Sequence, residues 1–128
     1  MQILLDTHVV LWALVDDPAL PAKARALIED DRNTLWVSAV SIWEISIKHA
    51  LGRGDMPLSG RTALGYCRDA GFRWLDLRPE HAAAVEGLPL IHADPFDRML
   101  VAQALAEPMK LLTHDSMIAR YHPDILLV

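Results

Sequence analysis

The 128-residue sequence predicts an α/β fold, an α/β/α sandwich in which helices cover both faces of a short, mostly parallel central sheet. Short apolar runs typical of buried strands alternate with segments whose apolar residues recur at helical spacing. This alternation favours parallel pairing, because parallel neighbours need a crossover connection that is usually a helix. No linker, repeat or low-complexity stretch interrupts the pattern, so we expect residues 1–128 to form a single domain.

The first half of the chain contains two predicted strands and three predicted helices. Residues 3–5 form a buried strand, and the helix that follows ends at Asp16-Asp17-Pro18. A second helix begins at Leu20-Pro21, since proline is favoured in a first helical turn. Residues 35–37 are the second strand. A long helix over residues 38–51 follows, ended by glycines.

The second half continues the same alternation, with Gly71, Gly87 and Pro108 as breaks. The predicted elements are a helix at 61–70, a strand at 72–77, a short helix at 79–86, a helix that opens at Asp94-Pro95, a strand at 110–112, a helical turn at 116–120 and a last strand at 125–128.

Composition narrows the class of protein. Apolar residues make up 52% of the chain and charged residues 23%, which is typical of an ordered globular protein. No apolar run is long enough to cross a bilayer, and the N-terminus lacks the features of a signal peptide. The single cysteine, Cys67, excludes an internal disulfide and a cysteine-rich zinc site. We therefore expect a cytoplasmic protein without a membrane partner.

The charge is unevenly distributed along the chain. The net charge of −5 argues against binding nucleic acid by bulk electrostatics. Residues 48–78, however, hold six basic side chains against three acidic ones. This segment is either an ordinary solvated surface or a basic flank that steers a polyanion toward an acidic pocket.

Two acidic residues follow predicted strands directly or closely. Asp6 comes after the first strand, and Asp115 lies within three residues of the strand at 110–112. Sites in parallel sheets lie beyond the carboxyl ends of the strands, so both should face one crevice. Each residue could instead be a helix N-cap, as could Asp94, for which capping or metal binding stays open.

Glu44 occupies an unexpected position in its helix. Its sequence neighbours are Ile42, Trp43, Ile45 and Ile47, and a helix this apolar is buried. An ion pair with Lys48 at i, i+4 would stabilise the helix by only ~0.2–0.5 kcal/mol. Burying an unpaired carboxylate costs several kcal/mol, on the order of 2–7 for a polar group alone, so a metal-filled crevice explains Glu44 better.

A convergence of carboxylates implies a cation. Neighbouring carboxylates raise one another's pKa unless a metal or a basic group compensates. Oxygen ligands suit Mg²⁺ or Mn²⁺ rather than zinc. The six histidines show neither HxxxH nor HxH spacing, so we do not expect histidine ligands. Signatures of a covalent nucleophile or a glycine-rich phosphate loop are also absent.

Four blocks of the sequence resemble a known family. LLDTH (4–8), SIWEISIK (41–48), DPFDRMLVAQA (94–104) and LLTHD (111–115) are similar, in order and spacing, to the signature blocks of PIN domains. They look most like the VapC-type toxins of type II toxin–antitoxin modules. The resemblance implies a PIN-like fold, Mg²⁺- or Mn²⁺-dependent cleavage of an RNA substrate, a homodimer and a cognate antitoxin. The residues that match the family's acidic quartet are Asp6, Glu44, Asp97 and Asp115.

A catalytic hypothesis follows from these residues. The quartet, with bridging waters, holds one or two Mg²⁺ or Mn²⁺ ions that activate a water against a phosphodiester. Asp6 and Asp97 are the expected direct ligands, while Glu44 and Asp115 bind through water. The expected supporting side chains are hydroxyls that bind a water or a phosphate oxygen and a cation that contacts the RNA backbone: Thr7, Ser41, Thr113, and Arg98 or Lys48.

Three other classes compete with this hypothesis. A non-catalytic PIN-like module would bind a protein or RNA without cutting it, and is expected to have lost some of the acids. A haloacid-dehalogenase-type phosphohydrolase needs a second Asp two residues after the first, where this chain has His8. A response-regulator receiver needs an acidic pair near the end of the first strand.

Overall fold

The computed structural model describes all residues from Met1 to Val128. The strands are β1 (Gln2–Leu5), β2 (Thr34–Ser38), β3 (Arg73–Leu75), β4 (Lys110–Thr113) and β5 (Leu126–Leu127). The helices are α1 (Thr7–Leu14), α2 (Ala22–Glu29), α3 (Ala39–Ala50), α4 (Gly60–Ala70), α5 (Pro79–Ala84), α6 (Pro95–Ala106) and α7 (Ser116–Ala119). A 3₁₀ turn, Val85–Gly87, follows α5.

The five strands form one sheet in the order β3-β2-β1-β4-β5. All four strand pairings are parallel, and helices flank the sheet, so the predicted α/β fold class is confirmed. β1 lies at the centre, where Leu4 is in register with Trp36 of β2 and Leu111 of β4. β2 and β3 are added in turn on one side of β1, whereas β4 and β5 are added on its other side. The carboxyl ends of β1 and β4 therefore flank a topological switch point.

The alternation of β1 divides the core between the two faces of the sheet. Ile3 and Leu5 are fully buried against α1 and α2, in a cluster that includes Val9, Val10 and Ala24. Leu4 points to the other face, into a cluster with side chains of α6, α7 and β4: Leu100, Val101, Ala104, Leu111 and Ile118. A central strand buried on both faces needs continuous apolar residues, which is why this segment reads as an unbroken run.

Two predicted strands are shorter than expected. β3 covers Arg73–Leu75 rather than residues 72–77, and β5 covers Leu126–Leu127 rather than 125–128. Both are edge strands, which are short in many sheets because they pair on one side only. The carbonyl of Asp76, just past β3, accepts a hydrogen bond from Gln103 Nε2 at 3.3 Å. The Asp76 carbonyl therefore bonds a side chain of α6 instead of a neighbouring strand, and β3 ends before it.

α3 is held close to α4 by a glycine. Gly60 opens α4, and a Cβ atom placed there would lie 1.8 Å from the Oγ of Ser46 on α3. Only glycine permits this approach. At its own start α3 is capped by Ser38, whose Oγ accepts from the Val40 N–H at 3.0 Å. None of the helices has the length and apolar character needed to cross a bilayer.

Candidate metal centre

Three aspartates at the carboxyl edge of the sheet are helix N-caps. The Oδ1 atoms of Asp6, Asp94 and Asp115 accept backbone hydrogen bonds at 2.7–2.8 Å from the first turns of α1, α6 and α7 respectively. A side-chain cap satisfies a donor that the helix leaves unpaired. In each residue Oδ2 is turned to other partners: Thr113, Lys48 and His92. Capping fixes one oxygen and leaves the other for the crevice.

Two further carboxylates reach the same place from within helices. Glu44 lies on the buried side of α3 and is only 1% exposed. Asp97 lies in the first turn of α6, where its side chain is 15% exposed. All four members of the predicted quartet therefore lie at the carboxyl edge of the sheet, and Asp94 lies beside them.

The ligand atoms form two groups that share Asp97. Oxygens of Glu44, Asp94 and Asp97 lie within 4.8 Å of one another, as do those of Asp97 and Asp115 with a ring nitrogen of His92. Asp6 belongs to neither group but lines the same crevice, which has a volume of about 310 Å³. Groups this close are candidates for holding one divalent cation or two.

Sequence reasoning missed His92. Its Nε2 lies 3.1 Å from Asp115 Oδ2 and 3.3 Å from Asp97 Oδ2. Its Nδ1 accepts the Asp94 N–H at 3.1 Å, so the proton of a neutral ring is on Nε2 and points at the carboxylates. HxxxH and HxH spacings indicate paired histidines only, so they do not reveal a single histidine that contacts two carboxylates. Its position two residues before the capping Asp94 was the available signal.

The electrostatics of the crevice are strained without a cation. Burial raises the pKa of Asp97 to about 8, and the charges of Asp6, Asp94, Glu44 and Asp115 add to this effect. Burial also raises the pKa of Asp6, despite the hydrogen bond from Thr113. These shifts favour protonated carboxyls, which a divalent cation would reverse.

Asp115 behaves differently because it is more exposed and better bonded. Burial alone would raise its pKa, but hydrogen bonds from the Met117 N–H and from His92 outweigh that effect and lower the pKa. Two acids of one crevice therefore have pKa values shifted in opposite directions by their surroundings, that of Asp97 upward and that of Asp115 downward.

Lys48 partly compensates Glu44. Its Nζ donates to Glu44 Oε2 and lies 3.8 Å from Asp94 Oδ2. Desolvation lowers the pKa of Lys48, but the hydrogen bond and charge of Glu44 outweigh it and raise the pKa. Glu44 Oε1, however, is buried without any hydrogen-bond partner. A buried carboxylate oxygen without a partner, on a residue grouped with Asp94 and Asp97, fits a metal ion or a metal-bound water.

The three hydroxyl side chains hold the protein together rather than face the crevice. Thr113 Oγ1 donates to Asp6 Oδ2 at 2.7 Å and accepts from the Asp115 N–H at 3.0 Å, so it fixes both acids. Thr7 Oγ1 and Ser41 Oγ bond each other at 2.9 Å, and both residues are fully buried. These hydroxyls are part of the protein's own hydrogen-bond network, and their expected contact with a water or a phosphate oxygen stays a prediction.

Arg98 is not brought to the carboxylates. Its guanidinium donates to the carbonyls of Pro89 and Val85 at 2.8 and 3.2 Å and to the Tyr121 hydroxyl at 3.1 Å. Tyr121 in turn accepts from the His92 N–H at 2.8 Å. The sequence-based expectation that Arg98 contacts RNA is not supported by this position. Arg98 instead fastens the loop that carries His92.

A scan of protein families matches residues 3–122 to the PIN domain. The chain belongs to the PIN domain family. PIN domains are in general nucleases, and the acidic crevice described above is a site that could bind a divalent metal. A comparison with curated proteins finds no match.

Solved structures share this PIN fold over almost the whole chain. VapBC2 from Rickettsia felis, bound to a DNA fragment from its promoter, has a TM-score of 0.70 at 16% identity and covers 100% of this chain and 98% of the other. VapBC-1 from nontypeable Haemophilus influenzae has a TM-score of 0.64 at 18% identity, with 100% and 97% covered. FitAcB from Neisseria gonorrhoeae has a TM-score of 0.60 at 20% identity, with 98% and 95% covered. At these identities the likeness establishes the fold.

Proposed function

We propose that this chain is a Mg²⁺- or Mn²⁺-dependent endoribonuclease that acts as the toxin of a toxin–antitoxin pair. The observation that carries the proposal is Glu44 Oε1, which is buried without a hydrogen-bond partner in a residue whose carboxylate is grouped with those of Asp94 and Asp97. Lys48 is the one cation that bonds Glu44 there, so a divalent ion has both a charge deficit and free ligand atoms to satisfy. Membership of a family of nucleases supports the choice of reaction.

The residues that would hold the ion are those of the two groups around Asp97. Asp97 would be shared, with Glu44 and Asp94 on one side and Asp115 and His92 on the other. A bound cation of this kind lowers the pKa of a water and stabilises charge on a phosphate. The mostly oxygen donor set favours Mg²⁺, and the single imidazole makes Mn²⁺ a good alternative.

The chain's own groups supply orientation and charge. Thr113 donates to the carboxylate of Asp6 and accepts from the backbone N–H of Asp115, so both residues are held in place before substrate enters. Lys48 and Arg53 line the crevice and offer positive charge to a phosphate. Helix N-termini at α1, α6 and α7 add positive ends of dipoles to the same edge.

The nuclease proposal is tested with synthetic RNA and purified protein. Cleavage should require Mg²⁺ or Mn²⁺ and stop in EDTA. Asp97→Asn and Asp6→Asn should lose about a hundredfold or more of the rate, since Asp97 is shared by both ligand groups and Asp6 is a carboxylate of the same crevice. Asp69→Asn, an exposed aspartate of α4, is the matched control and should cleave at the parent rate. A folded Asp97→Asn protein with parental activity would leave a non-catalytic binding module as the better interpretation.

The toxin proposal rests on the likeness to solved VapBC structures and on the four sequence blocks. An antitoxin could insert an arginine among the carboxylates, where its charge would replace that of the metal. Expression of the chain alone should arrest growth, and co-expression of the neighbouring gene product should restore it. Persistent arrest with that product, or no arrest without it, would contradict the pairing.

The proposed homodimer has its own measurement. Light scattering coupled to size-exclusion chromatography should give twice the 14.3 kDa mass of the chain. A mass that stays at one chain over micromolar concentrations would remove the dimer without affecting the nuclease proposal.

A further inference from the structure

An aromatic group lies at the mouth of the acidic crevice. The crevice is lined by eleven residues, of which Trp12 is the one apolar side chain. His8, one helical turn earlier on α1, places its ring 6.0 Å from the Trp12 ring, and His114 after β4 places its ring 5.7 Å away. All three side chains line the crevice beside the carboxylates.

The same group borders a second cavity. This cavity has a volume of about 430 Å³ and shares His8, Trp12 and Asp55 with the crevice. Its remaining wall is largely apolar, from Leu11, Val15 and Pro57. Trp12 packs partly against the core cluster that contains Ile3 and Leu5. This packing does not explain why the side chain also lines both cavities. A polar, acidic crevice and a more apolar cavity therefore share Trp12 in their walls.

Basic side chains stand next to this aromatic group. Arg53 lines the crevice and is 51% exposed, and its guanidinium donates to Asp55 through Nε and Nη2, which leaves Nη1 for a phosphate. The carboxylate of Asp55 lies between Arg53 and His8, at 3.2 Å from Arg53 Nε and 3.7 Å from His8 Nε2. One nucleotide presents an anionic phosphate and an apolar base face, which are the two chemistries found here side by side.

We propose that Trp12, with His8 and His114, is a stacking platform for an unpaired base of RNA next to the phosphate that is cut. The proposal rests on the nuclease function proposed above and adds to it a base-binding subsite beside the cleaved phosphate. In a duplex, each base is already stacked and paired, and its face is not available to a side chain. Stacking is tolerant of base identity, so the platform selects unpaired structure more than sequence.

Binding and cleavage are measured separately. Fluorescence anisotropy in Ca²⁺, with a gel check that the RNA stays intact, compares an unpaired oligonucleotide with a hairpin duplex of the same composition. The parent should bind the unpaired RNA more tightly, and Trp12→Leu should weaken that binding about tenfold or more. In Mg²⁺ or Mn²⁺ the same variant should raise KM by a similar factor with a much smaller change in kcat.

Further variants separate stacking from folding. Trp12→Phe keeps an aromatic face and should stay within about threefold of the parent. His114→Ala changes an exposed side chain and should give a smaller loss in the same direction, even if Trp12→Leu does not fold. Trp36→Leu, at a half-buried tryptophan outside the crevice, is the matched control and should bind as the parent does.

The outcomes distinguish the two proposals. If the folded Trp12→Leu protein, or His114→Ala in its absence, binds unpaired RNA as tightly as the parent, the platform is wrong whether or not RNA is cut. Equal binding of unpaired and duplex RNA by the parent also overturns it. If no RNA is cut but the binding losses are seen, the platform stands and the nuclease function fails. A parent that neither binds nor cuts RNA overturns both.

Discussion

Substitution of Asp97 by Asn should stabilise the metal-free protein, although it removes activity. The Asp97 carboxyl has a pKa of 3.8 in an unfolded chain and about 8 in the folded one. Between these values the folded state binds more protons than the unfolded state, so stability falls as the pH rises and levels off above about 8. Asparagine has nearly the same shape and no charge, so the variant is free of this loss.

The magnitude follows from the pKa. Each pH unit between 3.8 and 8 removes about 1.4 kcal/mol from the stability of the parent relative to the variant. From pH 5.5 to pH 8.5 the advantage of Asp97→Asn should therefore grow by about 3 kcal/mol. The amide can also donate to the carboxylates around it, which acts in the same direction.

Urea unfolding in EDTA measures the effect at both pH values. The free energy of unfolding of Asp97→Asn minus that of the parent should be larger at pH 8.5, whereas Asp69→Asn should show no such trend. Mg²⁺ should raise the stability of the parent at pH 8.5 and leave Asp97→Asn nearly unchanged, because bound metal stabilises only the folded state that holds it. A difference that is negative or independent of pH would refute the burial and charge repulsion inferred for Asp97.

Three further predictions concern the packing around the crevice and the core. Lys48→Met should lower the free energy of unfolding by about 3 kcal/mol in EDTA, since it leaves Glu44 buried without its cation, and Mg²⁺ should restore part of the loss. Gly60→Ala should cost about 1–3 kcal/mol through its clash with Ser46, and Ser46→Gly should relieve most of that cost in the double variant, as urea unfolding would measure. The Cys67 thiol, fully buried with its pKa raised to about 11, should react with a thiol reagent only after denaturant is added, and rapid labelling of the native protein would contradict its burial.

The order of elements could be predicted because each left a local signal. Apolar runs marked β1 and β4, and glycines and prolines marked the helix ends. The short edge strands were overestimated, because pairing on the sheet edge depends on neighbours that the local sequence does not describe. The convergence of Asp6 and Asp115 followed from a general property of parallel sheets, and the structure places both in one crevice.

Capping a helix and binding a metal are not exclusive roles for these aspartates, because each carboxylate has two oxygens. Asp94 caps α6 with one oxygen and presents the other toward Lys48. Sequence alone cannot show this division, because it depends on the side-chain rotamer and on which elements meet. For the same reason the positions of His92 and Arg98 were not predictable. Only tertiary contacts place His92 among the acids and Arg98 against the loop that carries His92.

The central place of β1 in the sheet also determines when the crevice can exist. Thr113 and Asp6, which hydrogen-bond each other, are 107 residues apart in the chain, and β4 lies near the C-terminus. Contacts of such long sequence separation form late, because the loop they close is costly in entropy. During synthesis one edge of β1 therefore stays unpaired until β4 has been made, and the acids come together only after residues 110–115 have emerged. A nascent chain therefore contains most residues of the site long before they come together to form it.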